Sequence, residues 1–177
     1  MYIVTGNSHK LKEYQSYFPS IESKKLDLPE IQSLDEVEIQ EFKISEAKKF
    51  LDSNFVVDDV SFYLDCLPGL PGTFIKWFNQ TIKPQGLYNL ALQSNNLKAM
   101  AKCIISYVDR EGQIHHFRSA VKGKIVSPVS QDGFGFDVVF VPDGFQKTYS
   151  EMSSQEKNTC SHRGIAMQKL AQALTSI

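Results

Sequence analysis

Short apolar runs and helically spaced apolar positions take turns along this chain. Tyr2-Ile3-Val4 predicts a short buried strand, and it enters Thr5-Gly6-Asn7-Ser8, residues that favour turns and helix N-caps. Leu11, Tyr14 and Phe18 then share one helical face. Residues 21–28 predict a strand stopped by Pro29. Residues 35–51 carry a helical pattern with Ile39, Phe42, Ala47, Phe50 and Leu51 facing inward. Phe55-Val56-Val57 predicts a short strand ending on the acidic pair Asp58-Asp59. The stretch Leu67-Pro68-Gly69-Leu70-Pro71-Gly72 predicts a shaped loop without regular structure.

Residues 73–79 and 86–92 predict helices, with Pro84 near the start of the second. Residues 99–109 and 113–120 flank Glu111-Gly112 as a hairpin, and 122–126 predict a further strand. Gly133-Phe134-Gly135-Phe136 predicts a sharply turned aromatic loop before a strand at 138–141. Ser153-Ser154-Gln155-Glu156 matches a capping box. A last helix runs from Ser161, its candidate N-cap, with Ala166, Leu170, Ala173 and Leu174 inward. Interspersed strands and helices with a long hairpin favour an α/β fold built on a mixed sheet with a long central strand pair. No repeat, low-complexity segment or linker divides residues 1–177, so a single domain is expected.

Charge narrows the partners. The net charge is -1. That balance disfavours a sequence-independent nucleic-acid binder, so no nucleic acid is expected. No apolar run is long enough to span a bilayer, and the first ten residues lack signal-peptide character, so no membrane is expected either. Cys66, Cys103 and Cys160 are widely spaced and odd in number. They read as packing residues in a reduced, cytoplasmic setting.

Four segments carry candidate chemistry. A polar turn at a helix N-terminus attracts phosphate, and Thr5, Asn7 and Lys10 would add side-chain hydrogen bonds and charge. Its spacing is not that of a Walker A loop. Asp58 and Asp59 need compensation, which a hard cation such as Mg²⁺ supplies; Glu30 could add an oxygen. His162 and Arg163 open the last helix against its dipole, which points to an anion or a carbonyl oxygen nearby. Phe134-Gly135-Phe136-Asp137 joins a ring that can stack on a base to a glycine that admits close backbone approach. Adjacent Ser161 and His162 point apart, which rejects a Ser-His nucleophile, and His115 and His116 read as structural.

In order, these segments resemble the inosine triphosphate pyrophosphatase family, the Ham-type triphosphatases that also take XTP and dITP. The resemblance runs from Thr5 to about Leu170. It rests on Thr5-Gly6-Asn7-Ser8-His9-Lys10, Asp58-Asp59, Gly69-Leu70-Pro71-Gly72, Gly133-Phe134-Gly135-Phe136-Asp137, Glu156-Lys157-Asn158 and Ser161-His162-Arg163. Ile75-Lys76-Trp77-Phe78 and Lys83-Pro84-Gln85-Gly86-Leu87 are similar to the animal-type branch. The resemblance implies two lobes around a deep nucleotide-binding cleft, and a homodimer. It implies that Thr5, Gly6, Asn7, Ser8, His9 and Lys10 hold the triphosphate, that Lys43 reaches the phosphates, and that Glu30 and Asp59 are linked to Mg²⁺, with Asp58 beside them and Mn²⁺ as substitute. Asp59 would be the general base. Phe134, Gly135, Phe136, Asp137, Lys157, His162 and Arg163 would form the base and sugar pocket. Val60 stands where the family has Ser or Thr, and Val138 where it tends to have Pro, so the hydroxyl contact is lost or shifted to Ser61.

The reaction this implies is water attack on the α-phosphorus of a purine nucleoside triphosphate. Lys10, Lys43 and the metal would neutralise phosphate oxygens, and Asp59 would take the proton. A donor from Arg163 or His162 to the purine 6-oxygen would select ITP, dITP and XTP over ATP and cleanse the nucleotide pool of deaminated purines. Two other readings stand beside it. One is a Maf-type nucleotide pyrophosphatase of other base preference, the other a nucleotide-binding sensor without turnover.

Overall fold

The computed structural model describes residues 1–130 and 134–175; Gly133, part of the aromatic motif, lies outside them. In chain order the strands are β1 (Tyr2–Val4), β2 (Glu22–Lys24), β3 (Phe55–Leu64), β4 (Pro71–Gly72), β5 (Lys98–Val108), β6 (Ile114–Ile125) and β7 (Phe140–Pro142). The helices are α1 (Ser8–Gln15), α2 (Glu36–Ala47), α3 (Ile75–Thr81), α4 (Lys83–Gln93), α5 (Ser154–Cys160) and α6 (His162–Leu174). Among the described residues the strands form one sheet in the order β2-β1-β3-β5-β6-β7, with β4 added to β3. The sheet is mixed: β1 is parallel to β2 and to β3, while β3–β4 and β6–β7 are antiparallel. The expected mixed α/β fold with a long strand pair, β5 and β6, is present.

Several elements differ from the sequence reading, each for a local reason. β3 does not end at the acidic pair but runs through it to Leu64. The ladder of β2 covers Glu22–Lys24 only, because its partner β1 is itself three residues long. Pro71 and Gly72 pair with Tyr63 and Phe62, so part of the expected loop is a strand. The two strands expected at 113–120 and 122–126 are one, whose end is held by Gly123, Lys124 and Ile125 pairing with β7. Gly135–Val138 is a 3-10 turn, so the following strand starts at Phe140. In α2 the buried positions are Gln40, Ile44 and Ala47, and Phe50 beyond its end is 64% exposed. The hairpin turn is as expected, with Gly112 at φ 83° and its N–H donating to the Asp109 carbonyl.

The chain divides into two units, neither continuous in sequence. The first contains Met1–Asp59, Cys103–Ser119 and Arg163–Ile177. Its core includes Val4, Ile44, Ala47, Phe55, Val57 and Val108. The second contains Val60–Lys102 and Ala120–His162. Its core is larger in aromatic content, with Phe62, Phe136, Phe140 and Tyr149 among Leu64, Leu87 and Ile125. Of the cysteines only Cys103 is buried, while Cys66 and Cys160 are half-buried at the edge of the second core, short of the full packing expected for all three. Among the described residues no helix is long and apolar enough to cross a membrane.

Candidate active site

In the first unit the polar turn after β1 closes on itself. Asn7 is the N-cap of α1, its Oδ1 accepting from the N–H groups of His9 and Lys10, and Thr5 Oγ1 accepts from Asn7 N–H at 3.1 Å. These two side chains, expected to bind phosphate, therefore shape the turn, and Gly6, Ser8 and His9 are exposed on it. The cap fixes the first turn of α1 and with it Lys10. Lys10 Nζ donates to Asp58 Oδ1 at 2.7 Å and to its carbonyl at 3.1 Å.

Asp58 is the hub of this cluster. Its side chain is 1% exposed, and its second oxygen, Oδ2, accepts from Arg163 Nε at 2.8 Å. Arg163, at the start of α6, donates from Nη1 to Glu13 on α1 at 2.5 Å. Burial alone would push the Asp58 carboxyl up, but Lys10 and Arg163 outweigh it and hold it well below the usual carboxylate range. Burial likewise disfavours the Arg163 charge, which Asp58 and then Glu13 sustain. Tyr14 and Cys103 are buried within reach of the same charge, and burial, followed by the Asp58 charge, raises both of their pKa values. Both oxygens of Asp58 are thus engaged by cations. This places Asp58 in an internal ion cluster and not among carboxylates open to a metal, because a buried carboxylate needs fixed partners.

Asp59, next along β3, is in a different state. It is 32% exposed, and its Oδ2 accepts from Lys43 Nζ at 2.6 Å and from Gln40 Nε2 at 2.8 Å. Gln40 and Lys43 are spaced to share one face of α2. Burial favours the neutral amine of Lys43, but Asp59, then Asp58 and Glu30, raise its pKa above the ordinary value. Glu30 is exposed and near enough for its charge to be felt there. Among the described residues no three Asp, Glu, His or Cys side chains converge as an all-protein metal cage requires. Mg²⁺ rarely uses such a cage; it keeps waters and takes one or two carboxylates together with substrate phosphates. Asp59 and Glu30 fit that donor set.

The second unit gathers rings. Gly135 adopts φ 59°, and a Cβ there would meet Asn79 Nδ2 at 3.0 Å, so the turn after Phe134 is restricted to glycine. Phe134 is 39% exposed, whereas Phe136 turns inward and stacks on Phe62 with centroids 4.3 Å apart. His162 packs against Phe136 and Tyr149, and Tyr149 against Phe140. Asp137 is buried and accepts from Lys157 Nζ at 2.6 Å. The capping box expected at Ser153 and Glu156 opens α5 and so sets Lys157 in place. Val60 is partly buried against this unit's apolar core. Ser61, the next residue along β3, is buried.

The sequence reading therefore separates into two groups. Lys10, Lys43, Asp58, Asp59 and Arg163 meet in the first unit, and Phe134, Gly135, Phe136, Asp137, Lys157 and His162 meet in the second. Arg163, expected beside the purine, has two of its donor nitrogens engaged by Asp58 and Glu13. Four residues were not foreseen: Glu13, Gln40, Tyr149 and Asn79. Glu13 and Gln40 each stand three positions from an identified lysine on one helix, which was the available signal. Tyr149 and Asn79, whose Oδ1 is buried without a hydrogen-bond partner among the described residues, had none.

Comparison with known proteins shows the family. A profile of the Ham1 family matches residues 1–173. The inosine triphosphate pyrophosphatase of Schizosaccharomyces pombe is 36% identical over 98% of this chain and 94% of its own length. The dITP/XTP pyrophosphatase of Thermococcus kodakarensis is 36% identical over 95% of this chain and 93% of its own. The Ham1 protein structures from Staphylococcus aureus and Coxiella burnetii each superpose with TM-score 0.82, at 23% and 25% identity, covering 99% of this chain and 97% and 98% of theirs. The profile match covers nearly the whole chain, and the chain belongs to the Ham1 family.

Proposed function

We propose that this chain hydrolyses ITP, dITP and XTP to the monophosphate and pyrophosphate, cleansing the nucleotide pool of deaminated purines. The observation that carries this reading is the ion cluster of the first unit. Lys10, Lys43 and Arg163 from three helices meet Glu13, Asp58 and Asp59. The names of the two curated relatives support the substrate class.

Lys10 and Lys43 bind phosphate oxygens, and Lys43 exchanges Asp59 for phosphate when substrate arrives. Asp59, held by Gln40 on Oδ2, orients the attacking water and takes its proton. Asp58 holds Lys10 and Arg163 in position. Mg²⁺, or Mn²⁺ in its place, would be held by Asp59 and Glu30 and would neutralise charge on the leaving pyrophosphate. In the second unit Phe134 stacks on the base, and the buried Asp137–Lys157 pair, with His162, reads its edge. Guanine and adenine differ from hypoxanthine at the groups such a pair addresses, and a site built around hydrogen bonds discriminates strongly against unpaired groups.

A sensor without turnover is disfavoured by the Lys43–Asp59 pair, and a Maf-type preference by the family match. The same reading includes a homodimer, supported by the resemblance, and a cytoplasmic location, supported by three free cysteines. Sedimentation analysis tests the first, and imaging of a tagged chain the second. The function itself is tested by pyrophosphate release from a panel of triphosphates, with Mg²⁺ and with chelator. Release only with metal and preferentially from ITP, dITP and XTP is expected; equal release from ATP would refute the substrate assignment.

A further inference from the structure

The ion cluster of the first unit is internally matched. Each of its cations, Lys10, Lys43 and Arg163, already faces a carboxylate, and Glu30 adds a further negative charge felt by Lys43. A strongly anionic triphosphate gains little net attraction from such a cluster at a distance. An additional cation without a carboxylate partner would supply it. The sheet register shows where one stands. β1 and β2 run parallel with Val4 beside Lys24, and Thr5 N–H donates to the Lys24 carbonyl at 3.1 Å. Lys25 therefore leaves β2 alongside the turn of Thr5 and Gly6.

Successive side chains on a strand diverge. Lys24 lies over the Tyr2 ring, its Nζ 4.6 Å from the centroid. Lys25 instead lies along Gly6: its Cγ and Cε are 3.4 Å, and its Cδ 3.6 Å, from where a Cβ on Gly6 would stand. The missing side chain of Gly6 leaves room for the lysine stem to lie on the turn. Lys25 is exposed, and among the described residues its ammonium has no ion pair or hydrogen bond.

We propose that Lys25 is a further phosphate-binding residue, an uncommitted cation that draws the triphosphate onto the Thr5–Lys10 turn. The inference rests on the assignment of that turn to phosphate. An exposed ammonium acts mainly on encounter and ground-state binding, is screened by salt, and is not fixed on the reacting atoms. Its contribution falls on KM and not on kcat.

The test separates charge from packing. Lys25→Met keeps the stem over Gly6 and removes the charge; Lys25→Arg keeps a charge; Lys25→Glu reverses it. Two readouts are taken in Mg²⁺ buffer: steady-state hydrolysis of ITP, and calorimetric binding of inorganic tripolyphosphate. For Lys25→Met the account expects KM to rise and tripolyphosphate affinity to fall by roughly 2–5-fold. Lys25→Glu should lose more, Lys25→Arg should restore binding, and all differences should shrink as salt is raised. Binding by Lys25→Met equal to that of the wild type, or loss in Lys25→Arg as large as in Lys25→Met, would overturn the proposal. If the wild type binds tripolyphosphate in a Lys25-dependent way yet releases no pyrophosphate from ITP, the proposed function fails and the role of Lys25 stands. If the wild type does not bind tripolyphosphate, the role of Lys25 falls with it.

Discussion

The two units handle polar groups in opposite ways. The first gathers three cations and three carboxylates from distant segments, and buries the central one, Asp58, nearly completely. The second sets the Lys157–Asp137 ion pair among aromatic rings, with Lys157 over Tyr149 and Tyr149 packed on Phe140 and His162. On the proposed function, the charges of the first unit suit phosphate and the rings of the second suit a base. Every triphosphate carries the same phosphates, which charge alone can bind. Bases differ by single donors and acceptors, which only a shaped apolar site with few polar groups can distinguish. Substitutions in the first unit should therefore affect all triphosphates alike, and those in the second should change the ratio between them.

The largest effect is expected at the hub. Asp58→Ala leaves Lys10 and Arg163 without their shared carboxylate and should destabilise the fold by about 3–5 kcal/mol, measured by urea unfolding. The same group sets an acid limit. Its folded pKa lies below the unfolded value of about 3.9. Its stabilisation is complete above that value and is lost as pH falls toward the folded pKa. Unfolding free energy of the wild type should drop across this acidic range more steeply than that of Asp58→Asn; parallel pH curves would contradict the hub role. Arg163→Ala removes one partner of Asp58 and should lower hydrolysis of ITP and ATP together. A selective loss of ITP hydrolysis would return Arg163 to the base.

Asp59→Asn comes next. Asp59 is partly exposed, and asparagine keeps its shape and its carbonyl acceptor for Gln40, so the variant should fold while turnover falls at least ~10²-fold. Near-normal kcat in the folded variant would remove Asp59 from the mechanism. In the second unit, Lys157→Met removes a cation that pairs with the buried Asp137. The ratio of ITP to ATP hydrolysis should fall by about 10–150-fold, the worth of one charged hydrogen bond of roughly 1.5–3 kcal/mol. An unchanged ratio with both rates reduced would mean that the pair only supports the fold.

The same contrast separates what the sequence revealed from what it hid. Turn chemistry is local, so the Asn7 cap, the Gly112 hairpin and the Ser153–Glu156 capping box were legible from neighbouring residues. The fate of Asp58-Asp59 was not. Two carboxylates read as a strand end, yet β3 continues through them because Lys10, Lys43 and Arg163, as many as 105 positions away, compensate their charge. Nothing in the local pattern announces such partners. Likewise Phe50 fits a helical stripe by spacing, but α2 has ended at Ala47 and the ring stands in solvent. Arg163 was identified as functional, but its pairing with Asp58 and Glu13 was not foreseen, since motif order names residues without giving the direction of a side chain.

The proposed reaction is hydrolysis of deaminated purine triphosphates at the α-phosphorus. The most direct measurement is product analysis for the wild-type protein with ITP and with ATP, run with Mg²⁺ in oxygen-labelled water. The account predicts IMP and pyrophosphate in equal amounts, label in IMP alone, and ITP turned over at least ~10²-fold more efficiently than ATP. Release of orthophosphate, label in pyrophosphate, or equal use of ATP would contradict it.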